Sequence, residues 1–195
     1  QPEMVFIDTG VLSTLELRQR RAGAAEIIKY GLIADPDFLQ TLHDRLEDLL
    51  YLRDMAWVES VLETCCRIKV DVVGQDEREA GLRAILNFGH TIGHALEAIT
   101  RYQTFLHGEA VAYGMLAALQ LSQIKHPQLS IEPASKLIRR LEMPPIPEWI
   151  TSEMIIKALV KDKKRRQSGQ TWVLLEQVGQ ACLDTTVSPV VTNSV

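Results

Sequence analysis

The stretch from Arg83 to Glu97, RAILNFGHTIGHALE, decides how this chain is read. At 100° per residue, Arg83, Asn87, His90, His94 and Glu97 recur at spacings of 4, 3, 4 and 3 and share one stripe of a predicted helix. Leu82, Ile85, Leu86, Phe88, Ile92, Ala95, Leu96 and Ile99 clothe the other faces, and Gly89 and Gly93 leave room for a neighbouring backbone. A surface helix turns its charged face to water. Here two imidazoles, an amide, a guanidinium and a carboxylate line up within an otherwise apolar element, a pattern suited to a polar ligand or a metal.

Outward from this centre the pattern stays helical. Upstream, Ala24, Ile27, Ile28 and Leu32 form an apolar face that Gly31 is expected to weaken, and Asp35-Pro36 supplies an N-cap and a first-turn proline for the next helix. Asp37 to Leu52 and Asp54 to Val73 read as two amphipathic helices. Glu26 and Lys29 sit three apart, the spacing of a surface ion pair. Lys69, among Val70, Val72 and Val73, is expected to bury its stem, either snorkelling or aiming its ammonium at a ligand. Gln75 to Gly81 is an acidic connection carrying Glu79. Downstream, Thr100 to Leu106 is a loop, and His107-Gly108-Glu109 opens another helix, where His107 can be a cap, a core residue or a ligand. Ile131 to Leu141 and Thr151 to Lys161 are helical, and the basic run KDKKRR (161–166) reads as a solvated helix end. Thr171 to Glu176 and Ala181 to Asp184 alternate as a hairpin around Gly179, and the chain frays from about Ser188. At the other end, Met4 to Asp8 reads as a strand with no partner nearby in sequence.

Composition narrows the function. The 195 residues suit one well-buried domain, and 46% apolar with 24% charged residues is ordinary for a globular protein. The sequence has no run long enough to span a bilayer, and a net charge of -4 argues against nucleic acid as the main partner. Cys65, Cys66 and Cys182 have no metal-binding spacing and read as reduced thiols of a cytoplasmic protein. The start, QPEMVFIDTG, is unlike a signal peptide, and its strand-like character without an initiator methionine suggests a piece of something longer.

His90 and His94, at i and i+4, could both reach one cation, although either could instead contact substrate or sit hydrogen-bonded in the core. His90, His94 and His107 are three of the five histidines, and Lys29, Lys69, Arg83 and Asn87 add donors for anionic oxygens. Neither a GxSxG, a GxGxxG nor a Walker A motif is present. The residues alone yield a helical domain with a His/Glu metal site among anion-binding groups.

Four blocks together carry a resemblance: GAAEIIKYGLI (23–33), RIKVDVVGQDEREAGLRAILNFGHTIGHALE (67–97), LHGEAVAYGM (106–115) and KDKK (161–164) followed by a glycine and a strand. In this order and at these intervals they resemble the 3-dehydroquinate synthase family, within the sugar phosphate cyclase superfamily. The resemblance covers nearly the whole chain and implies a mainly α, multi-helical C-terminal domain with a short N-terminal strand and a small C-terminal β-hairpin. Residues 1–17 would then be a strand and connection from an N-terminal nucleotide-binding domain, and 18–195 the metal- and substrate-binding domain.

By motif, the resemblance implies that Glu26, His90 and His107 ligate zinc or cobalt, and that His94 faces substrate. Lys29, Lys69, Glu79, Arg83, Asn87 and one lysine of KDKK, Lys163, would line the pocket. The implied substrate is 3-deoxy-D-arabino-heptulosonate 7-phosphate, an acidic sugar phosphate of the shikimate pathway. NAD, bound mainly by the other domain, would oxidise a ring hydroxyl, phosphate would leave, and reduction, ring opening and aldol closure would give 3-dehydroquinate. A homodimer is implied for the full-length protein, and no turnover for this chain alone. One departure stands out: the family's TLPxRE reads here Thr14-Leu15-Glu16-Leu17-Arg18-Gln19.

Overall fold

The computed structural model describes residues 3–77, 81–165 and 171–187, with only the backbone of 162–165. Among these, seven α-helices precede a two-stranded antiparallel sheet. The helices are α1 (Leu17–Ala34), α2 (Pro36–Tyr51), α3 (Met55–Gln75), α4 (His90–Ile99), α5 (His107–Lys125), α6 (Glu132–Arg139) and α7 (Ser152–Arg165). The strands are β1 (Trp172–Gln177) and β2 (Gln180–Asp184).

Local chemistry sets most of the boundaries. Asp35 caps α2 by accepting from Phe38 N at 2.9 Å, with Pro36 at the first helical position, and Asp54 caps α3 by accepting from Trp57 N at 3.1 Å. Helix α1 starts within the altered TLPxRE segment, where Gln19 Oε1 accepts from Glu16 N, the N-cap residue, at 3.3 Å. The hairpin closes through Val178-Gly179, with Gly179 at φ 85°, and Gly179 N donates to Leu32 O at 2.8 Å, tying the sheet to the end of α1.

Helix α5 is the hub. Its residues Val111, Ala112, Met115 and Leu119 are fully buried, and it packs against α4, α1, α6 and β1. A core of Ile28, Leu32, Leu42, Leu46, Val58, Phe88, Leu137 and Ile138 fills the space between α1, α2, α3 and α6. A smaller cluster joins Ala95, Leu121, Leu159, Trp172 and Leu174 where α4, α5, α7 and β1 meet.

Three expectations are corrected. Arg83 to Glu97 is not one helix: a 3₁₀ turn (Leu82–Asn87) ends at Phe88, Gly89 takes φ 81°, and α4 starts afresh at His90. The reason is contact with α5, because a Cβ on Gly114 would lie 1.8 Å from Gly89 O and one on Gly93 3.2 Å from Ala110 O. Secondly, Met4 to Asp8 forms no strand, since a strand needs a ladder partner and none lies beside it among the described residues; Met4, Val5, Phe6 and Ile7 are exposed. Thirdly, Gly31 does not weaken α1 but admits α2, a Cβ there falling 2.9 Å from Leu39 Cβ. The fraying expected from Ser188 lies outside the described residues.

Candidate metal and substrate site

Two helix starts and the middle of a third helix converge on one point. The break at Gly89 makes His90 the first residue of α4, and the extended N-cap Leu106 makes His107 the first residue of α5. Helix α1 passes both and presents Glu26 and, one turn on, Lys29. The start of α5 is pinned by Glu109, whose carboxylate accepts from Leu106 N at 2.8 Å and from both Nε and Nη2 of Arg18, at 2.6 and 2.8 Å.

Glu26 Oε1 lies 3.8 Å from His90 Nε2 and 3.7 Å from His107 Nε2. Those separations are near the roughly 3.3 Å between ligand atoms about 2.0–2.1 Å from a tetrahedral zinc. Glu26 Oε1 is buried and finds no hydrogen-bond donor among the described residues, while Oε2 accepts from Lys29 Nζ at 2.6 Å. A buried acceptor without a partner carries a desolvation cost that a cation would offset. His90 Nδ1 lies 3.1 Å from Phe88 O, so it carries the proton and leaves Nε2 with its lone pair toward Glu26. Burial, then the charge of Lys29, pushes His90 down to about 4. Burial by itself would raise Glu26, but the charge and hydrogen bond of Lys29, with both histidines, outweigh it and hold the carboxyl below its ordinary range. At neutral pH Glu26 is therefore a carboxylate facing the neutral imidazole of His90, two donors that fit a divalent cation without first losing protons.

The other predicted residues divide into two groups. His94 joins the cluster, its ring centroid 5.3 Å from that of His90 and 6.1 Å from that of His107. Lys29 is 4% exposed, so its pair with Glu26 is internal and not the surface ion pair that the spacing suggested. Lys69 is exposed on α3, where it flanks the buried stripe of Cys65, Ile68 and Val72, so the burial expected among its valine neighbours does not occur. Arg83 is held before the break in the chain, its backbone N donating to Asp76 Oδ2 at 2.9 Å and its Nη1 to Glu77 O at 3.0 Å. Asn87 ends the 3₁₀ turn and is half-buried. Glu79 and the side chain of Lys163 lie outside the described residues.

Two features beside the cluster had no role assigned to them from the sequence, although Glu97 belonged to its polar stripe. Glu97 is buried, with Oε1 3.1 Å from His107 Nδ1, so His94, Glu97 and His107 form a second group of potential ligands sharing His107. Its position on the polar stripe, seven residues after His90, was the available signal. The Arg18–Glu109 fork joins segments far apart in sequence and left no local pattern.

The fold is shared with sugar phosphate cyclases of known structure. A solved 2-epi-5-epi-valiolone synthase from Streptomyces hygroscopicus subsp. jinggangensis, with NAD+ and Zn2+ bound, superposes with a TM-score of 0.85 at 25% identity, covering 96% of this chain and 53% of that one. A 2-deoxy-scyllo-inosose synthase complexed with carbaglucose-6-phosphate, NAD+ and Co2+ gives 0.79 at 27% identity, covering 99% and 55%. The family model described as 3-dehydroquinate synthase C-terminal matches residues 23–165. The chain is 44% identical over 182 residues to the 3-dehydroquinate synthase of Salinibacter ruber, covering 93% of this chain and 50% of the relative. It is 45% identical over 183 residues to that of Desulforamulus reducens, covering 92% and 51%. This chain belongs to the 3-dehydroquinate synthase family, and it spans about half the length of these curated relatives.

Proposed function

We propose that this chain is the metal- and substrate-binding part of a 3-dehydroquinate synthase, which converts 3-deoxy-D-arabino-heptulosonate 7-phosphate to 3-dehydroquinate and phosphate in the shikimate pathway. The observation that carries the reading is the convergence of Glu26, His90 and His107 on a partnerless carboxylate oxygen, with the buried Lys29 beside it. Identity well above that to the two other cyclases supports dehydroquinate synthesis over their reactions.

Glu26, His90 and His107 hold zinc or cobalt in this reading, and the bound cation supplies Lewis acidity toward the substrate hydroxyls. Lys29 keeps Glu26 ionised and adds positive charge beside the cation site. His94, on the exposed side of the cluster, meets substrate. Arg83 offers a planar fork for the substrate carboxylate, and Asn87 a neutral hydrogen-bonding partner for its hydroxyls. Lys69, Glu79 and Lys163 complete the pocket, the lysines acting on phosphate as point charges. NAD is held mainly by a nucleotide-binding domain of which residues 1–17 form the connection, residues 18–195 being the helical domain, and the whole protein works as a cytoplasmic homodimer.

The test combines this chain with a nucleotide-binding half and follows phosphate release from the heptulosonate phosphate. Activity that needs both halves, zinc or cobalt and NAD supports the reading; none in the fully loaded pair counts against it. His94→Ala should keep its metal and lose rate. If it loses the metal instead, His94 is a ligand and the assignment shifts to the group of His94, Glu97 and His107.

A further inference from the structure

Glu97 occupies a position that helix energetics disfavour. It lies in the last turn of α4, where the helix dipole repels negative charge, and its side chain is only 8% exposed, so it has lost most of its hydration. The backbone around it is closed, its carbonyl accepting from Tyr102 N at 2.8 Å. A carboxylate held there needs a compensating donor, and His107 Nδ1, 3.1 Å from Oε1, provides it. The two partners differ in freedom: Glu97 is buried on a finished helix, whereas His107 is 49% exposed and begins α5. Glu97 is therefore the fixed member and the His107 ring the one being held.

We propose that Glu97 is a positioning residue that keeps the proton of His107 on Nδ1 and turns Nε2 toward Glu26, so that Nε2 is the nitrogen offered to the cation. The inference rests on Glu26, His90 and His107 being the ligands. Paired with a carboxylate through Nδ1–H, an imidazole becomes a better donor at its other nitrogen and loses rotational freedom on binding. In the opposite tautomer His107 would point a lone pair at the Glu97 carboxylate. The neighbouring group of His94, Glu97 and His107 becomes, on this account, an orienting contact and not a second cation site.

The experiment is metal competition against a chelator with the 195-residue chain, in wild type, Glu97→Gln and Glu97→Ala, with Co2+ absorption and thermal unfolding of the metal-free proteins read alongside. Wild type should bind one cation per chain; no binding overturns the ligand assignment itself and with it this inference, and two cations per chain overturn the orienting role. With one cation bound, affinity should fall about 10- to 100-fold in Glu97→Ala, with a changed cobalt band, and less in Glu97→Gln, which still offers an acceptor. Affinity within twofold of wild type in a folded Ala variant overturns the proposal, as does an equal loss in both variants that tracks lowered thermal stability. Should the Ala variant not fold, ¹⁵N spectra of the zinc-loaded wild type decide: a proton on His107 Nδ1 with the metal on Nε2 supports the proposal, and coordination through Nδ1 overturns it.

Discussion

Arg18 and Glu109 meet in a two-pronged ion pair, Nε to Oε1 at 2.6 Å and Nη2 to Oε2 at 2.8 Å, that locks the first turn of α1 to the first turn of α5. Glu109 is 3% exposed and also holds Leu106 N, so one buried carboxylate sets where α5 begins and therefore where His107 stands.

Arg18→Ala leaves that carboxylate short of its strongest donors. The expected cost is about 1–3 kcal/mol, set by an under-satisfied buried group, read as a lower denaturant midpoint. Arg18→Lys should recover only part of it, because an ammonium cannot reproduce the fork. Zinc affinity should fall with both, since His107 lies two positions before Glu109.

The α4–α5 contact depends on missing side chains. Gly114→Ala would place a methyl 1.8 Å from Gly89 O, a backbone atom that cannot swing aside, and is expected to destabilise by about 3 kcal/mol or to prevent folding. Gly23, exposed in α1 with nothing within 4 Å of where a methyl would stand, is the opposite case. Gly23→Ala should stabilise by about 0.5–1 kcal/mol through helix propensity. Urea unfolding of the pair separates close approach from backbone freedom.

Metal binding should appear as stability. If the cation binds only the folded chain, zinc at about 100 times its dissociation constant raises the unfolding free energy by about 2.7 kcal/mol. The rise should vanish in Glu26→Ala, His90→Ala and His107→Ala and reverse with a chelator. Differential scanning calorimetry with and without zinc checks it.

Asp184 supplies a pH signature away from the site. Its carboxylate meets Lys125 Nζ at 2.8 Å and accepts from Thr186 N and Oγ1 at 2.6 and 2.7 Å. Burial would raise its pKa, but the hydrogen bond from Lys125 and those from Thr186 outweigh it and bring it to about 2. Because the folded value lies below the unfolded one of about 3.9, the contribution is present in full well above that value and is lost as pH falls through about 2. Asp184→Asn should cost about 1 kcal/mol at neutral pH, after allowance for solvent screening, and progressively less as pH falls through about 2. Urea midpoints across that window test the sign.

Much of this was legible from local patterns. Asp35-Pro36 announced a helix start because a capping carboxylate acts on amides three residues away, and Gly179 announced the hairpin because the turn needs a positive φ. The histidines were legible as a dense polar stripe in an apolar segment. The break before His90 was not, since the 3.6-residue periodicity runs straight through it and the cause, Gly114, lies on another helix.

By itself, then, the sequence determined a mainly helical domain of the dehydroquinate synthase family and marked Glu26, His90, His94 and His107, because periodicity, caps and motif blocks are properties of neighbouring residues. Only the tertiary structure decided that Lys29 is internal, that Lys69 is exposed, that Glu97 grips His107 and that Glu26 offers a partnerless oxygen to both histidines. Those facts depend on how α1, α4 and α5 cross, and helix crossings are set by close contacts such as Gly114 against Gly89, which no single segment encodes.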